Sequence, residues 1–491
     1  MDFQIVDQLE KRKQADLLIL PFWKGKNTPE PAATFGALKN IISLALATGD
    51  FKGNEGEILI VYSDKPEKRI ALLGLGEKKK CSLEVFRRAY GDLGKLCQKK
   101  EVKSLNLVVP VCKNLDESVV VRGVSEGLLL VNYAFERHKL DPDHKQTVLL
   151  KKVALIGASK KSLAVAKKYV GIVDGVYLAR DLVNGNADDV TPQHLADTAR
   201  LLAKKFSSVK ATVFNKSRIE KEKMGLLLAV SRGSLHDPAF IILEYKGNPK
   251  SKDHTVVVGK GVTYDTGGLN LKPTGFMETM KCDMSGAATA LGTIMAAANI
   301  GLKANVTAVI PATENSIGAK SYKPGDVYTS YAGKTVEIDN TDAEGRLILA
   351  DALAYTSQQI KPTRIVDFAT LTGAIVIALG EETSGVMSNS DKLADQLYKA
   401  GQDTHDRVWR LPLYPEYTKQ LKSDVADLKN TGGRQAGSIT AALFLQEFVG
   451  ETPWAHCDIA GTAYLSKERH YKPKNATGVG VRLMVDLLEN V

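Results

Sequence analysis

From about residue 16 onward, short apolar runs of strand length alternate with longer runs of helical period, which restricts the chain to an α/β architecture. ADLLILPF, EILIVYS, RIALLGLG, LNLVVPV and VALIGA read as strands, with LEVFRRAYGDLGKLC and ESVVVRGVSEGLLLVNYAF as helices between them. Residues 159–183, SKKSLAVAKKYVGIVDGVYLARDLV, keep helical periodicity for longer than most globular helices. A second series follows, in which TPQHLADTARLLAKKF is a helix and KATVF, AFIILEY, TVVVGKGVTYD, NVTAVIP, KTVEID and RIVDFAT are strands. At 491 residues the chain also exceeds what one hydrophobic core usually holds. The expected fold is therefore two α/β domains, each a mixed or largely parallel sheet flanked by helices. Their expected bounds are 1–160 for an N-terminal scaffold or partner-binding domain, 161–183 for a linker helix, and 184–491 for a doubly wound C-terminal domain.

Ligands of an open α/β sheet bind outside the carboxyl ends of its strands. Several strands of the second series end there in charged residues beside glycine. TVVVGKGVTYDTGGLNLKP carries Lys260, Asp265 and Lys272; METMKCDMSGAATALG carries Asp283; KTVEIDNTDAEGRL carries Asp342, Glu344 and Arg346. Each has a plain structural reading. Thr341 with Glu344 fits a capping box, Asp265 beside Gly267 and Gly268 a turn, and Asp283 a helix-end acid. Brought to one point, four carboxylates would repel one another, and two divalent ions would balance them. Oxygen ligands without thiolates suit Mg, Mn or Zn. Lys260 reads as a metal ligand or as a charge partner. The spacing alone favours the charge partner, because a ligating amine must first lose its proton.

Other chemistries lack their motifs. GKG at 259–261 is not followed by a hydroxyl residue, so no phosphate loop is expected. There is no H-E-x-x-H and no G-x-S-x-G. His456, in WAHCDIAG, reads as a core histidine. Five separated cysteines without a C-x-x-C pair point away from disulfides and thiolate zinc sites and suit a reducing cytosol. The N-terminus lacks the layout of a leader and no apolar run has membrane-spanning length, so a cytoplasmic protein without a membrane partner is expected. The net charge of +10 resides partly in lysine clusters such as Lys78–Lys80 and Lys160–Lys161, which read as solvated faces.

With these residues in view, the chain resembles the cytosolic leucyl aminopeptidase family of dinuclear metallopeptidases. NTDAEGRL at 340–347 matches the family's signature octapeptide, and VGKGVTYDTGGLNLKP, MKCDMSGAA, ATLTGA, NTGGR and WAHCDIAG follow its order from about Arg180 to Val491. The first half resembles the family only in size and α/β character. One departure is the run GNADDVTP at 185–192, where the family often has an earlier proline.

The resemblance implies that 184–491 is the catalytic domain. It implies a tighter metal on Lys260, Asp265, Asp283 and Glu344, and a more exchangeable one on Asp265, Asp342 and Glu344. It implies Lys272 beside the scissile carbonyl and a bicarbonate, as general base, on Arg346. It places Met280, Thr370, Gly373 and Ala460 around the first substrate side chain, with Ala463 close by and smaller than its counterpart in some members. The implied activity is release of N-terminal leucine and other apolar residues from peptides by a Zn- or Mn-dependent homohexamer, for intracellular peptide turnover. An alternative or additional role in nucleic-acid binding, in transcription or recombination, rests on the net charge and the lysine clusters. A catalytically dead relative is disfavoured because all seven site residues are present.

Overall fold

The computed structural model describes residues 1–64 and 66–491. They form two compact units, Met1–Val173 with Lys467–Pro473, and Asp174–Ser466 with Lys474–Val491. The first unit carries β1 (Asp2–Val6), β2 (Leu17–Trp23), β3 (Glu30–Pro31), α1 (Lys39–Ala47), β4 (Ile58–Tyr62), β5 (Arg69–Gly74), α2 (Leu83–Lys99), β6 (Ser104–Val108), α3 (Glu117–Val131) and β7 (Lys152–Ile156). Its sheet runs β1-β7-β6-β2-β5-β4, parallel until β4, with β3 antiparallel to β2. Every residue of β2, LLILPFW, is buried, which explains its unbroken apolar run: a central parallel strand is covered on both faces. The helix expected through NYAF stops at Val131, because the Asn132 side chain turns to pair with both the N–H and the C=O of Leu150. The sequence reading did not anticipate β1, α1 or β3.

Helix α4 spans Lys160–Asn184, and the division between the units falls within it. Beyond it come α5 (Pro192–Lys205), β8 (Val209–Phe214), α6 (Lys216–Lys221), α7 (Gly225–Ser231), β9 (Ala239–Lys246), β10 (Thr255–Gly259), β11 (Gly261–Asp265), α8 (Ser285–Ile300) and β12 (Asn305–Asn315). The chain continues with β13 (Val327–Thr329), β14 (Thr335–Glu337), α9 (Glu344–Tyr355), β15 (Arg364–Ala369), α10 (Gly373–Leu379), β16 (Ser384–Ser388), α11 (Asp391–Thr404), β17 (Val408–Arg410), β18 (Leu428–Lys429), α12 (Gly437–Gln446), β19 (Trp454–Asp458) and α13 (Val481–Glu489). The large sheet runs β17-β16-β19-β15-β10-β12-β9-β8, with β11 against β12.

Its middle, β19-β15-β10-β12, is parallel, and antiparallel neighbours flank it on both sides. Gly259 of β10 pairs with Phe368 of β15, and Ala369 with Asp458 of β19, so these strands end along one edge. Strands β13, β14 and β18 form a separate small sheet, so KTVEID is a strand but not of the main sheet. On one face, Val256 and Val258 of β10 join the core built by α7, α9 and α12, following the two-residue period of a strand. Among the described residues no helix is long and apolar enough to cross a membrane.

Candidate metal centre

Lys260 is the single residue between β10 and β11. Its N–H donates to the Phe368 carbonyl at 3.0 Å, and its own carbonyl accepts from Ala287 N–H at 2.9 Å. With its backbone held between β15 and the start of α8, the side chain is buried. Its Nζ lies 2.8 Å from Asp283 Oδ1, 2.9 Å from Glu344 Oε1 and 2.8 Å from the Thr370 carbonyl. The glycine after Glu344 makes the approach possible, since a Cβ on Gly345 would stand 2.7 Å from that Nζ.

A second lysine mirrors the first. Lys272 Nζ is 2.7 Å from Asp265 Oδ2 and 2.6 Å from Asp342 Oδ1. The loop between Asp265 and Lys272 doubles back through Gly267, whose φ of +85° suits glycine. Asp265 Oδ1 accepts from Gly267 N–H at 2.9 Å and from Asn315 Nδ2 at 2.8 Å. The four carboxylates and the cations Lys260, Lys272 and Arg346 thus converge from three distant segments, at the edge where β10, β11 and β15 end.

Burial pushes the Asp283 carboxyl well above the ordinary carboxylate range and also raises Asp265, with Glu344 adding to the second effect. Burial and the nearby Asp265 likewise raise Asp342. Burial alone would lower both lysines, but the surrounding carboxylates outweigh it and hold the ammonium groups above their usual value. In the protein alone, the lysines are therefore the counter-charge. They do not satisfy the cluster: Asp283 Oδ2 and Glu344 Oε2 are buried and find no hydrogen-bond partner among the described residues. Oxygens of Asp265, Asp342 and Glu344 also lie within 4.8 Å of one another. Buried carboxylate oxygens left open in so acidic a cluster are the donors that divalent cations take, and the residues fit such ions.

Arg346, in the first turn of α9, is buried, and its Nη1 donates to the Asn430 carbonyl at 2.7 Å while its Nε has no partner. Burial lowers the guanidinium to about 10, against the pull of Glu344 and Asp458. It remains a cation at neutral pH.

The capping box expected of Thr341 and Glu344 does not form. Helix α9 begins at Glu344 itself, with Ala343 at its N-cap and no side-chain cap. The Thr341 hydroxyl instead donates to the Gly267 carbonyl at 2.7 Å and accepts from Asn270 N–H at 2.8 Å. This stitches the loop of Lys272 to the loop of Asp342. Asn430 does the same from the other side, accepting from Asp339 N–H at 2.8 Å and donating to the Asn340 carbonyl at 2.7 Å. Asn315 links the Asp265 carboxylate to the Thr341 carbonyl, 3.0 Å away. No sequence signal beyond an asparagine at the end of an apolar strand, or within NTGGR, points to these two.

The cluster lines a cavity of about 600 Å³ whose wall includes Met280, Thr370, Gly373 and Ala460. Ala463 is buried and is not part of that wall. Phe276 and Ile377, which the sequence reading did not single out, add exposed apolar surface to the wall. Asp458, at the end of β19, accepts from Leu371 N–H and the Thr372 hydroxyl and so fixes the loop after β15. His456 is fully buried, with Nδ1 2.6 Å from Asp367 Oδ1, as a core histidine should be.

Comparison with known proteins identifies the family of the whole chain. Residues 177–485 match the catalytic domain of the cytosol aminopeptidase family, and residues 19–142 match the N-terminal domain of the same family. A probable cytosol aminopeptidase of Protochlamydia amoebophila is 56% identical over 100% of this chain and 99% of its own length. One from Chlamydia abortus is 49% identical over 98% of this chain and 97% of its own. Among solved structures, a mutant of tomato leucine aminopeptidase superposes with a TM-score of 0.87 at 31% identity, over 100% of this chain and 97% of its own. The bottromycin maturation enzyme BotP in complex with Mn does so with a TM-score of 0.86 at 31% identity, over 97% and 99%.

Proposed function

Because the chain belongs to the cytosol aminopeptidase family and is a metal-dependent aminopeptidase, we propose that it releases leucine and other apolar residues from peptide N-termini, using two divalent ions, Zn or Mn. Lys260, Asp265, Asp283 and Glu344 would hold the tighter ion. Asp265, Asp342 and Glu344 would hold the more exchangeable one, so that Asp265 and Glu344 would serve both. When bound, the ions supply the charge that fixes the substrate's free amine and carbonyl and acidifies a water at neutral pH. The observation that carries this reading is the pair of buried oxygens, Asp283 Oδ2 and Glu344 Oε2, that find no partner among the described residues although the other oxygen of each carboxylate pairs with Lys260.

The chain's own residues supply the rest. Met280, Thr370, Gly373 and Ala460 receive the first side chain. Lys272 sets its ammonium beside the scissile carbonyl, stabilising the negative charge that develops on the oxygen. Arg346, with its Nε open, would hold a bicarbonate near the reacting carbonyl, and that anion would supply the general base for which the cavity lining offers no histidine. By the same family reading the enzyme is a cytoplasmic homohexamer engaged in peptide turnover, which light scattering would test.

Purified protein loaded with Mn or Zn should release leucine from leucyl substrates. Chelation should abolish the activity, and Glu344→Ala should lower kcat/KM by at least about a thousandfold, since it removes a ligand shared by both ions and the charge they stabilise. Metal-loaded protein that leaves every leucyl substrate intact would refute the reading.

A further inference from the structure

A cavity of about 860 Å³ lies within the second unit and shares no lining residue with the cavity at the metal centre. Its volume is that of a small-ligand site, about 300–1,000 Å³. Helices α6 and α7 contribute Lys216, Glu220 and Leu228 to its lining, and the loops 231–237 and 317–320 contribute most of the rest. These two loops pack backbone to backbone. A Cβ on Gly233 would overlap the Ser316 carbonyl oxygen, and one on Gly318 would overlap the Gly233 carbonyl oxygen. Arg232 Nε adds a hydrogen bond to the Lys320 carbonyl at 3.1 Å.

Lys216 Nζ pairs with Asp237 Oδ1 at 3.1 Å, which leaves three charges of the lining unmatched. Among the described residues no carboxylate pairs with Arg232 or Lys320, and no cation pairs with Glu220. Leu235 and Ile317 add exposed apolar surface to the same lining. A carboxylate suits the two cations, an ammonium suits Glu220, and a short apolar side chain suits the leucine and isoleucine. One small molecule carries all three groups, a free amino acid with an apolar side chain, which is the class of product that the enzyme releases.

The loop 317–320 is tied to the metal centre at both ends. Before it, Asn315 Nδ2 donates to Asp265 Oδ1 at 2.8 Å and to the Thr341 carbonyl at 3.0 Å. After it, the Tyr322 hydroxyl donates to the same Thr341 carbonyl at 2.7 Å. Helix α7 is tied as well, since Leu226 and Leu227 N–H donate to Asp351 of α9, the helix that begins with Glu344. A carboxylate that draws Lys320 toward Arg232 therefore pulls on the segment whose ends hold Asp265 and the loop of Asp342. Resting on the aminopeptidase reading above, we propose that this cavity is an effector site for a free apolar amino acid, and that its occupation slows turnover through residues 315–322.

The test follows hydrolysis of a leucyl coumarylamide by the Mn-loaded enzyme as free leucine is added. Leucine at the metal centre competes with the substrate and raises KM. Leucine in the effector cavity acts on the enzyme with substrate already bound and should lower kcat by about fivefold, the lower end of the usual range of coupling between sites. Isoamylamine, which lacks the carboxylate, and 4-methylpentanoate, which lacks the amine, should leave kcat unchanged at the same concentration. Within the Arg232→Gln enzyme, and separately within Lys320→Gln, leucine should still raise KM but no longer lower kcat. A rise in KM alone in the wild-type enzyme, or a fall in kcat that persists in both variants, overturns the proposal while leaving the aminopeptidase reading intact. No hydrolysis of the coumarylamide under any condition rejects that reading instead, and the effector site falls with it.

Discussion

Asn315 shows what a neutral side chain does in a charged centre. It closes β12, is fully buried, and spends its amide on the Asp265 carboxylate and the Thr341 carbonyl. Together with Gly267 N–H it occupies Asp265 Oδ1 and leaves Oδ2 turned toward Lys272 and the cluster. Partners that orient a metal ligand in this way typically carry about 10–100-fold in metal affinity or activity. Asn315→Ala should therefore weaken Mn binding by about that factor, read by calorimetric titration, and an unchanged Mn affinity would show the contact to be incidental. The charged members of the site were legible in the sequence because a carboxylate at the end of an apolar strand conflicts with its surroundings. Asn315 and Asn430 were not, because asparagine is ordinary at strand ends and in loops, and their partners lie far away along the chain. Lys260 was legible as a charge, but spacing could not choose its role. In the protein alone its ammonium pairs with Asp283 and Glu344, and as a metal ligand it must give up that proton.

At the scale of elements, the segment that reads as a capping box is instructive. Thr341 and Glu344 have the right spacing, yet α9 starts at Glu344, and the hydroxyl of Thr341 is used across the site rather than along the helix. Local pattern located a helix start correctly but not the purpose of its residues. Further along α9, Asp351 caps a different helix. Its Oδ2 accepts from Leu226 and Leu227 N–H at the start of α7, each at 2.9 Å, and its Oδ1 accepts from Tyr331 N–H at 2.7 Å. Burial raises its carboxyl from 3.8 to about 7 despite these bonds. The folded state thus holds this proton more tightly than the unfolded chain. The group's contribution to stability is greatest below about pH 4 and declines as pH rises toward 7, by on the order of 3–4 kcal/mol. Asp351→Asn should lower the melting temperature near pH 4.5, having lost an acceptor, and flatten its fall between pH 4.5 and 7.5, so that the deficit shrinks or reverses at the upper end. A variant with the same slope as the parent would mean that Asp351 does not titrate in that range. Elements β16 and β19 escaped the sequence reading for a related reason: SGVMS and WAHCD are fully buried strands built from small, polar or acidic residues. Their polar groups, Ser388, His456 and Asp458, are satisfied inside the fold, which composition alone does not reveal.

For the whole molecule, the α/β alternation was enough to foresee two sheet-based units, while their sheet orders and the return of Lys467–Pro473 to the first unit depend on long-range pairing that no local pattern encodes. The site residues belong entirely to the second unit, and the acidic cluster that fits metal draws on β11 and the segment leading into α9. The first unit has its own core, in which Leu18, Leu20, Phe22, Ile70 and Leu72 pack together. An ion that binds only the folded cluster stabilises it by RT ln(1 + [L]/Kd), or about 2.7 kcal/mol at a hundredfold excess over Kd. That corresponds to about a hundredfold slowing of hydrogen exchange through openings that break the cluster. Mn added to chelator-treated protein should therefore protect amides in residues 260–272, 280–287 and 339–346, with little change in β2 and β5. Protection confined to other segments, or none at all, would mean that the unpartnered oxygens of Asp283 and Glu344 are not where the ions bind. Because exchange is read amide by amide and without substrate, this measurement separates the location of the metal from the identity of the peptide.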